Sequence, residues 1–153
     1  MKNIFKPAIK ALILLHTAML LGQLLFAAIA YFMFRNNVPP FDESTSKIMQ
    51  SVAVVLTLGG GFAAFFVFRK SVEELQLTAG GFDEKINAYR SASIIKFALL
   101  EAPSLFCIIG YILTINISFM LLSIVLILVF AGQKPTVPMM VHDMNVSRDE
   151  LFE

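Results

Sequence analysis

Residues 11–34, ALILLHTAMLLGQLLFAAIAYFMF, form an apolar stretch without a single charged side chain. A bilayer core of about 30 Å is crossed by roughly 20 apolar residues in a helix. The stretch therefore predicts a membrane-spanning helix. It is longer than the roughly 7–15 apolar residues of a signal peptide, which favours an uncleaved helix.

Further apolar segments predict a transmembrane domain over residues 1–132, with four helices at about 11–34, 48–77, 83–113 and 115–131. Backbone groups in lipid must be hydrogen-bonded internally, which favours helices over an open sheet. Residues 114–116 leave room only for a tight turn, so the last two segments predict a helical hairpin. The predicted fold class is an all-α integral membrane four-helix bundle built from two antiparallel hairpins.

The composition agrees with a membrane protein and excludes several other classes. Of the 153 residues, 58% are hydrophobic and 15% are charged. A soluble domain typically has roughly 45–50% apolar residues and about 25% charged residues. The single cysteine excludes a disulfide framework and a multi-cysteine zinc site. A net charge of +1 provides no strong positive electrostatic field that would hold a nucleic acid. No nucleophile–base set is visible, so we expect no enzyme, no cofactor and no metal site.

The distribution of basic residues predicts the orientation. If both termini face the cytoplasm, ten of the 12 Lys and Arg residues lie inside, and only Arg35 and Lys47 lie outside. The positive-inside rule then favours an N-in, C-in, multi-pass protein, which we expect in the inner cell membrane. Residues 133–153 would form a cytoplasmic tail. This tail is either a short amphipathic helix on the membrane surface or a flexible docking segment rich in methionine.

Glu101 is the carboxylate that lies inside a predicted span. Such a residue is costly in hydrocarbon and often marks an ion or proton pathway. Pro103 cannot donate a hydrogen bond to the carbonyl of Leu99, so it frees an acceptor nearby. Ser104 and His16, which lies at a similar depth, complete the candidate ion or proton site. Alternatively, Glu101 is kept solvated by local water, or it makes a single hydrogen bond between helices.

Two other polar side chains, Gln23 and Thr57, lie at matching depths in the first and second helices. Together with His16 and Glu101 they predict a polar track through the bundle. The alternative is that each residue makes its own separate hydrogen bond, because depth does not determine direction.

Small residues predict tight helix contacts, because they let two backbones approach closely in a membrane. The predicted helix-packing residues are Gly59, Gly60, Gly61, Ala98 and Ala102. The contacts could be within the chain or between subunits.

Residues 90–116 carry the run RSASIIKFALLEAPSLFCIIG, which starts at Arg90. This region resembles the carboxylate-bearing helix of the proteolipid (c) subunits of rotary ATP synthases. The resemblance implies that Glu101 is an ion-carrying carboxylate and that the protein packs in a multimer. The glycines of the preceding helix are contiguous here, whereas those of the family are spaced.

The sequence therefore predicts a small polytopic membrane protein that acts as an accessory, scaffold or assembly component of a membrane complex. Its expected partners are the lipid bilayer and other membrane proteins, in a homo- or hetero-oligomer. The alternative is a proteolipid-like subunit that moves protons or cations through Glu101.

Overall fold

A computed structural model describes residues 5–77 and 81–146, apart from the side chains of Phe5, Lys6 and Phe82. Within these residues the fold is all-helical and has no strand, which confirms the all-α part of the predicted class. The five helices are α1 (Phe5–Phe34), α2 (Glu43–Leu77), α3 (Phe82–Thr114), α4 (Ile117–Ala131) and α5 (Val137–Met144). Residues 147–153 of the predicted tail lie outside the described residues.

Three of the described helices, α1 to α3, are long and apolar enough to cross a membrane. The fourth, α4, is apolar but has 15 residues, or about 22 Å at 1.5 Å per residue. Two helices begin earlier than the apolar pattern predicts, α1 at Phe5 and α2 at Glu43. The start of α2 follows from Asp42, whose carboxylate accepts a 3.0 Å hydrogen bond from the Thr45 amide and caps the helix.

Helix α3 is the centre of the packing. It contacts α1, α2, α4 and α5, while α1 also contacts α4 and α2 also contacts α5. Half of the residues in the 18-residue apolar stretch of α3 are buried, compared with 22% for α1 and 11% for α2. Most of α2 therefore faces outward.

The contact between α2 and α3 is close at Gly60. A Cβ atom added there would lie 2.8 Å from Cγ of Pro103 and 3.1 Å from the carbonyl oxygen of Leu99. The same kind of contact joins α3 to α4, where a Cβ on Gly110 would lie 2.6 Å from the Phe119 ring. Only Ile115, in the left-handed conformation at φ 53°, and the helix cap Asn116 separate these two helices.

Helix α5 folds back onto the bundle. Met140 and Met144 are fully buried in a core cluster that includes Leu75 of α2 and Ile86 of α3. The Gln76 side chain donates a 3.0 Å hydrogen bond to the backbone carbonyl of Asp143. The tail was expected to be either an amphipathic helix on the membrane surface or a flexible segment. Its described part contains a helix, and this helix packs against protein through its methionine face.

Candidate functional site

Glu101 lies at the edge of the buried face of α3. On the same side of the helix, Phe97 and Ile108 are buried, whereas Ala98 is exposed. The Glu101 side chain is itself half-buried. Within the described part of the chain, no hydrogen bond or ion pair is formed by its carboxylate. The side chain is therefore open to a group that approaches from outside the bundle.

His16 has a partner other than Glu101. Its Nε2 atom lies 2.9 Å from the carbonyl oxygen of Phe130 on α4. Its ring stacks on the Phe130 ring at a centroid distance of 4.7 Å and meets the edge of Phe97 at 5.2 Å. His16 thus ties α1 to α4 in an aromatic cluster, although its depth is close to that of Glu101. The two residues do not form the pair that their depths suggested.

Two aromatic contacts fix the register of α1 against α3. The rings of His16 and Phe97 meet near one end, and those of Tyr31 and Tyr111 meet near the other at 6.3 Å. The residue number on α3 exceeds that on α1 by 81 at the first contact and by 80 at the second. The two helices therefore run in the same direction, and any residue of α1 lies level with the residue about 81 positions later.

Gln23 and Ser104 follow this offset, so they lie at the same level of the bundle. Both side chains are fully buried, and neither the Gln23 amide nor the Ser104 hydroxyl has a hydrogen-bond partner among the described residues. A buried polar group without a partner costs about 1–3 kcal/mol. Two unsatisfied polar side chains therefore lie at this level of the bundle, and Glu101 lies within one helical turn of it.

Thr57 does not complete a track with Gln23. Its hydroxyl is also buried, and its neighbour among the described residues is the Cys107 thiol, on the α2 side of α3. Helices α1 and α2 each pack on α3 and barely touch each other. Gln23 and Thr57 are consequently on two different sides of α3.

Pro103 belongs to a helix contact. Its ring lies against Gly60 of α2, and the carbonyl oxygen of Leu99, which Pro103 frees, lies against the same glycine. Leu99 and Glu101 are separated by two residues, or about 200° around the helix. The freed acceptor therefore faces α2, away from the Glu101 carboxylate.

The predicted helix-packing residues divide into two groups. Gly60 makes the contact inside the chain, whereas a Cβ atom on Gly59 or Gly61 would meet nothing within 4 Å. Ala98 and Ala102 are both exposed on α3. Four of the five small residues are therefore free to contact a further helix.

One charged residue that sequence analysis passed over is buried. Lys96 is 5% exposed, and its ammonium lies 4.4 Å from the centroid of the Phe68 ring and 5.4 Å from that of Phe65. Phe65 and Phe68 are three residues apart on α2, so they share one face of that helix. This pair of aromatic residues, together with a lysine at the start of the next apolar segment, was the sequence signal that could have indicated the contact.

No protein-family model, curated protein or solved structure matches the chain. The described part of the chain defines a class, namely an all-helical protein with three helices long and apolar enough to cross a membrane. Within the described residues, no group of three or more His, Cys, Asp or Glu side chains is placed to hold a metal ion.

Proposed function

We propose that the protein is a four-span bundle of the inner cell membrane and acts as a non-enzymatic accessory, scaffold or assembly component of a membrane complex. The basic residues support an orientation with both termini in the cytoplasm, because ten of 12 would lie on that side. Helix α4 would span with its 15 residues if it stands nearly upright or the bilayer thins locally.

A row of residues on α2 that no described part of the chain covers carries this proposal. The row, which we call the α2 seam, follows spacings of four and three residues alternately, the period of a coiled-coil contact. Its six members all face outward and are Ile48, Val52, Val55, Gly59, Phe62 and Phe66. A seam with this period is suited to packing against a second helix along its length.

Gly59 distinguishes the α2 seam from a surface that only contacts lipid. A glycine inside a helix costs about 1 kcal/mol relative to alanine, and here it makes no close contact within the chain. In membranes such a residue lets the backbone of another helix approach. The stacked rings of Phe62 and Phe66, with centroids 5.8 Å apart, form a ridge beside it. The occupant that fits is an apolar helix of another membrane protein or of a second copy of this chain.

The test is a glycine-to-leucine substitution with a matched control. Gly59→Leu should reduce the assembled fraction, because the larger side chain keeps a partner helix away. Gly22→Leu on α1 should not, although Gly22 also faces open space. Native mass spectrometry of complexes extracted from the membrane measures both variants. Equal assembly of the two variants and the unaltered chain would show that the α2 seam is not a helix-binding surface.

A second candidate function is proton or cation translocation through Glu101, as in a proteolipid-like subunit. Its support is the half-buried carboxylate together with the unpartnered Gln23 and Ser104 at a neighbouring level. Glu101→Gln should abolish ion flux into liposomes while the protein still folds. The unaltered chain should also react at Glu101 with a carboxyl-directed carbodiimide. Absence of both flux and labelling in the unaltered chain would refute this function.

A further inference from the structure

A cavity of about 290 Å³ lies between α2, α3, α5 and the segment that leads into α5. Its volume corresponds to roughly ten water molecules in the liquid, and we call it the α5 cavity. Phe65, Phe68 and Val72 of α2 form one wall, and Met139 of α5 forms another. The walls are mainly apolar, and three charged residues, Arg69, Lys96 and Asp143, also line the space.

Lys96 supplies a buried cation to this cavity. Its side chain lines the space and is 5% exposed. It forms no salt bridge with any described residue. The rings of Phe68 and Phe65 lie beside the ammonium, and the Asp143 carboxylate is near enough to attract it electrostatically. A buried charge is normally paired, and a cation–π contact compensates only part of the lost hydration. The ammonium is therefore available to an anion.

Arg69 supplies a second cation at the rim. Its Nε atom donates a 3.0 Å hydrogen bond to Glu73, which leaves the two terminal NH₂ groups without a partner in the described ranges. A guanidinium presents these donors in a planar fork that suits the oxygens of a phosphate. The amide of Gln133 also lines the cavity and adds a neutral donor.

Asp143 is the carboxylate that lines the cavity, and both of its oxygens have other contacts. The Tyr89 hydroxyl donates to Oδ2 over 3.3 Å, and Nδ1 of His142 lies 3.4 Å from Oδ1. Asp143 thus contributes a negative charge to the lining without forming a salt bridge to Lys96. Glu73 offsets part of the charge of Arg69 from outside the cavity.

The position of the cavity along the helices indicates the kind of ligand. The apolar stretch of α2 ends at Phe68, and Arg69 and Lys70 follow it directly. Lys96 lies near the start of the apolar stretch of α3. Basic residues at the end of an apolar stretch lie at the level of the lipid headgroups. Phe65 and Met139 are partly exposed beside them, so the apolar wall continues to the surface of the bundle.

We propose that the α5 cavity binds the phosphate headgroup of an anionic phospholipid. Lys96 and Arg69 contact the phosphate oxygens, and the first part of an acyl chain lies against Phe65 and Met139. Because the cavity is bounded by α2, α3 and α5, the bound lipid holds α5 against the bundle. The inference rests on the membrane placement of the chain and is independent of its role in a complex.

Retention of lipid by the full chain tests the proposal. The protein is purified from micelles that contain phosphatidylcholine and phosphatidylglycerol in equal amounts, and the lipids that remain bound are counted by native mass spectrometry. The unaltered chain should retain phosphatidylglycerol in preference to phosphatidylcholine. Lys96→Gln should weaken that retention on the order of tenfold, as expected for the loss of a hydrogen bond to a charged group.

Two further variants keep the test independent of folding. Val72→Phe fills the cavity while both cations remain, and it should also lose the lipid. Lys70→Gln removes an exposed lysine that is paired with Glu74 over 3.9 Å, and it should retain the lipid as the unaltered chain does. Equal losses in Lys70→Gln and Lys96→Gln would show that general surface charge attracts the lipid, and would overturn the proposal.

A soluble phosphate is distinguished from a lipid in a separate arm. Glycerol phosphate is added to the protein in vesicles of pure phosphatidylcholine, and thermal unfolding is followed. We expect no shift in Tm, whereas vesicles with phosphatidylglycerol should raise it in the unaltered chain and not in Val72→Phe. A rise with glycerol phosphate alone would assign the cavity to a soluble ligand and overturn the lipid proposal. Assembly, measured on the same samples, reports separately on the proposed function.

Discussion

Replacing Gly60 with alanine should destabilise the protein because the added methyl group has no space. Its Cβ atom would lie 2.8 Å from Cγ of Pro103 and 3.1 Å from a backbone oxygen, that of Leu99. Neither atom is the end of a flexible side chain, so the two helices must separate. Overpacking of this kind costs about 1–3 kcal/mol. At Gly59 and Gly61, which face open space, alanine should instead stabilise the helix by up to about 1 kcal/mol.

Both substitutions gain the same helix propensity, so the expected difference between Gly60→Ala and Gly59→Ala is the overpacking cost, about 1–3 kcal/mol in the free energy of unfolding. Reversible unfolding in mixed micelles with increasing sodium dodecyl sulfate measures it, with helix content followed by circular dichroism. Gly61→Ala serves as a second control on the same helix. Equal stability of the three variants would refute the close contact between α2 and α3, and with it the central position of α3.

Three further outcomes follow from individual contacts. In micelles without phosphatidylglycerol, Met140→Ala should cost about 2–5 kcal/mol and raise hydrogen exchange in α5, whereas Met139→Ala, at a 42% exposed position, should do neither. His16→Phe keeps the ring stack and loses the 2.9 Å hydrogen bond to the α4 carbonyl, so micelle unfolding should show a loss of about 0.5–1.5 kcal/mol. Hydrogen bonds from the Thr45 hydroxyl and then the Thr45 amide lower the pKa of Asp42. The capping therefore stabilises the start of α2 above the ordinary pKa and is lost as the pH falls through the lowered value. Unfolding of Asp42→Ala across that pH range should lack this loss.

The length and apolar pattern of the sequence predicted the helices because hydrophobic stretches of this size have few alternatives in a membrane. Helix ends were less predictable, since the start of α2 depends on the cap at Asp42, which lies outside the apolar stretch. Depth along a helix was also predictable from residue counts. Direction around the helix was not, and for this reason His16 contacts Phe130 although its depth is close to that of Glu101.

The positions of Lys96 and Glu101 show why direction matters for function. They are five residues apart on α3, so they lie about 7.5 Å apart along the axis and about 140° apart around it. Lys96 consequently faces the aromatic rings of α2, and Glu101 lies at the edge of the buried face. The lysine neither neutralises the carboxylate nor shares its surroundings. The two charges therefore belong to separate sites. Lys96 belongs to the proposed lipid site at one face of α3, and any partner or ion that uses Glu101 would bind at another face.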